Sequence, residues 1–356
     1  MTAEVLSPRA LNRATLQRQS LLERSDAPIA DMVEHLVGMQ AQNPLDPYYA
    51  LWARLEDFDP ALLGEMTANR QVARGGFMRG TIHLFTSDDA VVVHPVTADV
   101  LARVFRSTQF AKDVAGVELA SLLLVAGSLL EERPRTRAEL AGDLAARWPD
   151  HEPASLAQAA TYLLPVLQVP PRGVWGKKGP AAWAPLESFL GRPYGPGLSI
   201  DSLVIRYLAA FGPAAVKDMR VWSGLTGLRE VFDRLRPTLR TYRDEGGSEL
   251  FDLPEIDLPD PDTPAPPRLL PEYDNVLLGH ADRGRFFDGR ATPRGWLGNV
   301  LVDGMFSGDW KVDRGTLVMS LTDVGSEAAT AAREEAARLV ELAWPGEVDE
   351  IRVTPF

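Results

Sequence analysis

Residues 201–253, DSLVIRYLAAFGPAAVKDMRVWSGLTGLREVFDRLRPTLRTYRDEGGSELFDL, decide the fold of this chain. Apolar residues recur there at helical spacing in three stretches, and glycine and proline separate the stretches. A two-stranded hairpin follows. The pattern predicts helices from Asp201 to Phe211, from Ala214 to Trp222 and from Leu228 to Leu235, and strands from Thr238 to Arg243 and from Glu249 to Leu253. This order is that of a winged helix-turn-helix, in which one helix can enter a groove of DNA.

Two earlier parts of the chain repeat the order of helices followed by a strand pair. In the first, an amphipathic helix at residues 11–22 precedes a strand pair within residues 72–86. In the second, Thr136 and Glu139 form a capping box that starts a helix, and a hairpin with the basic tip Lys177-Lys178-Gly179 follows. A single copy of such a unit can also serve as a dimerisation or scaffold unit. Three copies in one chain favour a DNA-binding surface.

Prolines are frequent from residue 254 to residue 271, which predicts an extended linker. The pattern beyond it is mostly that of β-strands, with one helix predicted from residue 327 to residue 342. We therefore predict an α+β fold with three tandem winged helices and a β-rich C-terminal module. The predicted parts are winged helices at residues 1–115, 116–197 and 198–256, and the linker with the β-rich module at residues 257–356.

The composition is that of a globular protein without disulfides or a metal centre. The 356 residues include no cysteine, and the five histidines are scattered without metal-ligand spacing, so we predict no metal. The formal net charge of −12 argues against a general nucleic-acid coat and predicts weak, salt-sensitive or DNA-shape-dependent binding. No signal peptide or membrane span is apparent in the sequence, so we expect a cytoplasmic protein without a membrane partner.

The segment Gln40-Ala41-Gln42 is the candidate for the chemistry. Apolar residues before it recur at helical spacing, and Pro44 disfavours helical geometry at Asn43, so we expect the two glutamines at a helix end. A glutamine amide offers two donors and an acceptor without charge, which suits orienting a water or holding a cationic centre. The alternative interpretation is two polar residues at a frayed helix terminus.

Several motifs together resemble the tandem winged-helix, AlkZ-like family of DNA glycosylases. Each motif alone is weak, but their combination is specific and covers nearly the whole chain, fading only in the last β module. The motifs are Leu11-Asn12-Arg13, Gly38-Met39-Gln40-Ala41-Gln42, Met78-Arg79-Gly80-Thr81-Ile82-His83-Leu84, Val169-Pro170-Pro171-Arg172-Gly173-Val174-Trp175-Gly176, Trp222-Ser223-Gly224-Leu225 and residues 271–283. The resemblance implies three winged helices in a C-shaped arrangement and excision of N7-alkylated purines, including bulky natural-product adducts and interstrand crosslinks.

The catalytic signature implied by the resemblance is Gln, an apolar residue, Gln, which Gln40, Ala41 and Gln42 match. A second branch of the family has Asp in place of the last glutamine, and this sequence is not of that branch. An N7-alkylated purine is cationic and already a good leaving group. Stabilising an oxocarbenium-like sugar and placing a water therefore remain as the tasks, with Gln40 holding sugar or phosphate and Gln42 aligning the water. Neither task needs a lysine or a cofactor, so we expect a monofunctional hydrolase without cofactors that aids antibiotic self-resistance.

The resemblance also suggests contacts to DNA phosphate or to the minor groove. The candidate residues are Arg79 and His83 on the first wing and Asn275, His280 and Arg283 after the linker. A surface ion pair is the alternative for Arg79, and a core position is the alternative for His280. The expected partner is double-stranded DNA containing alkylated purines, bound by a monomer. A non-catalytic winged-helix transcriptional regulator is the alternative function, and it would bind a specific duplex sequence as a dimer.

Overall fold

The computed structural model describes residues 4–295 and 297–356. Its first part begins with a helix that Ser7 caps by accepting a hydrogen bond from the backbone N–H of Ala10. Helices and a strand pair then follow, as the sequence predicts. The elements are β1 (Val5–Leu6), α1 (Pro8–Arg18), α2 (Ile29–His35), β2 (Met39–Gln40), α3 (Asp46–Trp52), α4 (Pro60–Ala68), β3 (Val72–Gly76), β4 (Ile82–Thr86), α5 (Ser87–Arg106) and α6 (Gln109–Asp113).

The predicted capping box begins a helix in the second part. The Oγ1 of Thr136 accepts from the backbone N–H of Glu139, and the carboxylate of Glu139 accepts from the backbone N–H of Thr136. The predicted hairpin is present as well. The elements are α7 (Leu119–Glu132), β5 (Arg135–Thr136), α8 (Arg137–Ala145), α9 (Pro153–Leu163), β6 (Val166–Val169), β7 (Ala182–Pro185) and α10 (Leu186–Leu190).

The third part confirms the predicted order of three helices and a hairpin. The first of these helices ends before Pro213, which has no N–H to continue it, and the second ends at Gly224 in the left-handed conformation. The elements are α11 (Ile200–Phe211), α12 (Val216–Ser223), α13 (Leu228–Leu235), β8 (Arg240–Asp244) and β9 (Glu249–Asp252).

The last part contains a strand that the sequence does not predict. Residues 268–270, at the end of the expected linker, pair with residues 299–301, because no proline interrupts them and two leucines there are fully buried. The β-rich module itself is confirmed. The elements are β10 (Arg268–Leu270), α14 (Asn275–Leu278), β11 (Gly298–Val302), β12 (Met305–Asp313), β13 (Thr316–Leu321), α15 (Ser326–Ala343) and β14 (Glu350–Pro355).

The first three parts share sheets, and the last part shares a core with the first. A six-stranded sheet in the order β2-β4-β3-β6-β7-β5 joins the hairpins of the first two parts, with Arg74 opposite Gln168 at the junction. One core contains Tyr48 and Trp52 of the first part together with Leu269 and Leu339 of the last. Among residues 4–295 and 297–356, no helix combines the length and apolar character that a membrane span needs. The α+β class is therefore confirmed. The strand β2 lies at one edge of the six-stranded sheet.

Candidate active site

The Gln-Ala-Gln motif lies on and just after β2. The expectation that it stands at a helix end is wrong, because α2 already ends at His35. The chain leaves the helix where Val37 and Gly38 adopt left-handed backbone angles, with φ of 54° and 78°. A Cβ at position 38 would lie 2.5 Å from the ring of Phe85, so both conformation and space require glycine there.

Gln40 is held by neighbours on both sides of its strand. Its backbone lies opposite His83 in the β2–β4 pair, and its own N–H donates to the Oδ1 of Asn275 at 3.4 Å. Its side chain is buried, and the Oε1 accepts a hydrogen bond from the Nη2 of Arg79 at 2.7 Å. The carbonyl end of this amide is thus fixed, which gives the two N–H donors of its Nε2 a defined direction.

Gln42 is exposed, while Ala41 between the glutamines is buried. The Oε1 of Gln42 accepts from the backbone N–H of Ile82 at 3.2 Å. The N–H of Ala41 donates to the carbonyl oxygen of Ile82 at 2.8 Å, and its carbonyl oxygen accepts from the Nη2 of Arg74 at 2.7 Å. The motif is therefore fastened to β4 and β3, and it presents one amide to solvent.

Arg79 is a cation without an anionic partner among the described residues. It adopts the left-handed conformation with φ of 56°, and its guanidinium donates to Gln40 and to the carbonyl oxygen of Trp222. Burial lowers the pKa of Arg79 to about 10, and no charged neighbour offsets this effect. The surface ion pair considered for Arg79 therefore finds no support. A partly buried guanidinium held only by neutral groups is suited to an incoming anion.

His83 lies against Arg79. Its Nδ1 lies 3.1 Å from the carbonyl oxygen of Thr81, which can only accept, so the Nδ1 carries the proton. The Nε2 is then the acceptor that faces the Nη2 of Arg79 at 3.4 Å. Burial and the charge of Arg79 lower the pKa of His83 to about 3, so the ring is neutral at physiological pH. Because His83 is only 1% exposed, the structure does not support direct DNA contact by this residue.

Asn275 completes the edge of the sheet. Its Nδ2 donates to the carbonyl oxygen of Gly38 at 2.7 Å and to that of Leu36 at 3.4 Å, while its Oδ1 accepts from Gln40. A neighbouring strand would engage these backbone groups in the same way. The side chain is buried and occupied by these bonds, so the geometry supports a positioning role and not the predicted DNA contact.

The other two predicted DNA contacts lie outside this network. His280 is in the core, where its Nε2 lies 2.8 Å from the carbonyl oxygen of Phe211 and burial lowers its pKa well below the usual value. This placement favours the core alternative for His280. Arg283 is exposed, and its guanidinium lies over the ring of Phe287 at 4.8 Å. The structure thus brings Arg79, His83 and Asn275 together around Gln40 but leaves His280 and Arg283 apart from it.

Sequence reasoning missed two ionisable residues beside the motif. Arg74 is 3% exposed and bridges Ala41 to the Oε1 of Gln168. Burial, with a smaller contribution from Arg172, lowers its pKa to about 10. Burial raises the pKa of Asp46 to about 7. An arginine in the middle of a predicted buried strand was the available signal for Arg74.

A buried ion pair sets the position of Asn275. Arg54 and Asp274 are both fully buried, with the Nη2–Oδ1 distance at 2.6 Å and the Nη1–Oδ2 distance at 2.8 Å. The same carboxylate caps α14 by accepting from the N–H of Val276 at 2.9 Å. Because Asn275 is the first residue of α14, the pair anchors it against the first part of the chain.

The arrangement can orient a water and hold a sugar or an anion with neutral amides and a cation. Within residues 4–295 and 297–356, no group of three or more His, Asp or Glu side chains is placed to hold a metal. A family model described as DNA glycosylase AlkZ-like matches residues 33–342, which include the motif and Asn275. The chain belongs to the AlkZ-like family of DNA glycosylases. It is therefore an enzyme, and the regulator alternative is set aside.

This glycosylase also resembles a solved structure, the Streptomyces sahachiroi DNA glycosylase AlkZ. The TM-score is 0.77 at 22% sequence identity, covering 99% of this chain and 100% of that chain. At this identity the likeness shows the fold. No curated relative matches the sequence. The family match extends to residue 342 in α15, which is further than the expected fading of the resemblance in the β module.

Proposed function

We propose that this DNA glycosylase hydrolyses the N-glycosidic bond of N7-alkylated purines in double-stranded DNA, including bulky adducts and interstrand crosslinks. The observation that carries the proposal is the exposure of Gln42 to solvent just after β2, with its amide orientation set by the N–H of Ile82. An oxygen that accepts one hydrogen bond retains a second lone pair. A water that donates to it keeps its own lone pair free for attack on C1′ of the sugar.

Gln40 has the complementary role in this proposal. Arg79 occupies its carbonyl oxygen, so its Nε2 donates to the sugar or phosphate of the lesion nucleotide. The departing purine needs little acid catalysis because N7 alkylation already makes it cationic. Neutral amides also avoid placing a further positive charge beside an oxocarbenium-like sugar.

Openness of the site supports bulky substrates. The space between Gln40, Asn275 and Tyr273 has an accessible volume of about 0 Å³, so it cannot enclose a flipped base. The larger space beside Gln42 is an open cleft. A lesion that cannot enter a closed pocket can therefore still reach the amide.

The chain has five lysines, and none of them lines either of these two spaces. We therefore propose hydrolysis by water and not a lyase reaction through a Schiff base. Borohydride treatment during turnover should trap no covalent complex with DNA. A trapped complex would replace the monofunctional mechanism by a bifunctional one.

The test is a gel assay on duplexes with one N7-methylguanine or one N7-linked crosslink, followed by alkali to cleave abasic sites. Wild type should give strand cleavage, and Gln40→Ala and Gln42→Ala should each lower the rate about 100-fold or more. Gln17→Ala, which removes an exposed glutamine on α1, is the matched control and should keep the wild-type rate. Absence of abasic product from every N7 lesion would overturn the proposal.

A further inference from the structure

A cleft of about 280 Å³ opens beside Gln42, between the first hairpin and the second part of the chain. Three arginines contribute to its lining: Arg74 from β3, Arg137 at the start of α8, and Arg172 after β6. Among the described residues, no aspartate or glutamate lines it. The cleft is thus a local concentration of positive charge in a chain whose formal net charge is −12.

Three buried N–H groups of the lining lack a hydrogen-bond partner within the part of the chain that the structure describes. They are the Nε of Arg74, the Nε of Arg172 and the Nε1 of Trp183. Arg74 is 3% exposed and Trp183 is 2% exposed, so bulk water does not hydrogen-bond to all of their N–H groups. Each of these nitrogens is closed to solvent, so it lies behind the surface of the cleft. Buried polar groups are normally paired, so three unpaired donors leave the polar wall of this cleft without internal compensation.

The charges of the lining select the kind of ligand. Arg172 lines the same cleft as Arg74, and its positive charge contributes to the lowered pKa of Arg74, so the two cations repel each other. Arg137 stacks on the ring of Trp183 at 5.1 Å and adds a third positive group at the rim. A cationic N7-alkylated purine would be repelled here. An anion with oxygens on several sides would relieve the repulsion and accept hydrogen bonds from the guanidinium groups that line the cleft.

The cleft is connected to the catalytic motif through Arg74. One amino group of its guanidinium donates to the carbonyl oxygen of Ala41, and the other donates to Gln168 on the far side. Arg74 and Arg79 both place positive charge near Gln40 and Gln42, and this charge opposes an oxocarbenium-like sugar. An anion bound in the cleft would offset it.

We propose that this cleft binds a backbone phosphate of the lesion-bearing DNA, next to the nucleotide on which Gln42 acts. The inference rests on the proposed function, because it takes DNA with a lesion at Gln42 as the ligand. Arg137 and Arg172 bind the phosphate. Arg74 connects the bound phosphate to the motif through its hydrogen bond to Ala41. The cleft therefore fixes the register of the DNA relative to the two glutamines.

The test combines single neutral phosphates in the DNA with removal of the arginines. The DNA carries a stable tetrahydrofuran abasic analogue, and one methylphosphonate replaces each flanking phosphate in turn. At one position the methylphosphonate should lower the affinity of wild type for this DNA about tenfold. The affinity of the double variant Arg137→Gln/Arg172→Gln should be the same with and without the methylphosphonate at that position. The slope of log K against log salt should also be lower by about 0.9 in this variant. Arg314→Gln, on an exposed arginine, is the matched control and should keep the wild-type pattern.

Equal losses for wild type and variant at every position would overturn the inference. A rise in the melting temperature of wild type with inorganic phosphate, without any such position in the DNA, would assign the cleft to free phosphate and also overturn it. Base release is measured separately on N7-methylguanine duplex. If the base is released but no phosphate position depends on Arg137 and Arg172, the phosphate site is rejected and the proposed glycosylase specificity stands. If one position depends on these arginines but the base is not released, the proposed specificity is rejected and the phosphate site stands.

Discussion

Replacing Asn275 by alanine should slow base release without weakening DNA binding. The side-chain amide holds the carbonyl oxygen of Gly38 at 2.7 Å and the N–H of Gln40 at 3.4 Å, both at the sheet edge that carries the motif. Without it, these two groups and the carbonyl oxygen of Leu36 lose this partner in a buried environment. The strand β2 then has no support on its outer side, and the amide of Gln40 is no longer fixed.

The magnitude follows from these bonds. Three backbone groups left without this partner cost about 3 kcal/mol of unfolding free energy, since each bond is worth about 1 kcal/mol. For a chain of this size we expect a loss of about 4 °C in melting temperature. A displacement of Gln40 by about 1 Å lowers kcat about 100-fold.

The assay pairs three measurements on Asn275→Ala: the melting temperature, the single-turnover rate of base release from N7-methylguanine duplex, and the Kd for tetrahydrofuran DNA. We expect a lower melting temperature, a slower rate and a Kd within about twofold of wild type. Asn275→Asp should be worse at pH 8 than at pH 5, because its carboxylate would face two carbonyl oxygens. An unchanged melting temperature and rate with a weaker Kd would refute the positioning role and restore direct DNA contact.

Three further substitutions test the surroundings of the motif. Asp46→Asn should raise the unfolding free energy by about 4 kcal/mol at pH 8 and progressively less towards pH 4, measured by melting. The folded pKa of about 7 lies above the ordinary 3.8, so stability that wild type has at low pH is lost as pH rises through that range. Asp274→Asn should lower the unfolding free energy by about 3–5 kcal/mol in the same melting assay, because the guanidinium of Arg54 would stay buried without its counter-charge. Gly38→Ala should cost about 2 kcal/mol or more and slow base release, because its Cβ meets the ring of Phe85.

Each of these substitutions has a control. Asp26→Asn, at an exposed site, should show no pH-dependent gain, and an equal gain there would discount the burial of Asp46. Arg54→Met combined with Asp274→Leu should recover most of the stability that Asp274→Asn loses. Failure of this recovery would indicate that capping of α14, and not charge burial, dominates. Wild-type melting and rate for Gly38→Ala would show that the turn tolerates a side chain.

The parts of the fold that the sequence predicts are those with local signals. Gly212-Pro213 and Gly224 end two helices of the third part, and the capping box at Thr136 begins a helix where expected. These signals act between residues a few positions apart, through backbone hydrogen bonds and steric limits. The aromatic residues Tyr48, Tyr49 and Trp52, which recur at helical spacing in α3, are likewise buried.

The errors come from contacts that the sequence does not display. Pro44 suggested where the helix before the motif ends, but the chain turns earlier because Gly38 must pass close to Phe85 of another strand. The strand at residues 268–270 was not predicted because it follows a proline-rich stretch and pairs with β11, which is distant in sequence. In both cases a neighbour distant in sequence outweighed the local pattern.

The sequence by itself determined the catalytic candidates, because Gln40, Ala41 and Gln42 are contiguous, and it indicated the family, because several motifs occur together. Only the tertiary structure decided what surrounds them. Asn275 reaches the backbone of Gln40 across 235 positions, and Arg79 reaches its side chain across 39. Such contacts depend on which apolar faces of the helices and sheets bury one another. Periodicity shows that a face is apolar but does not specify its partner.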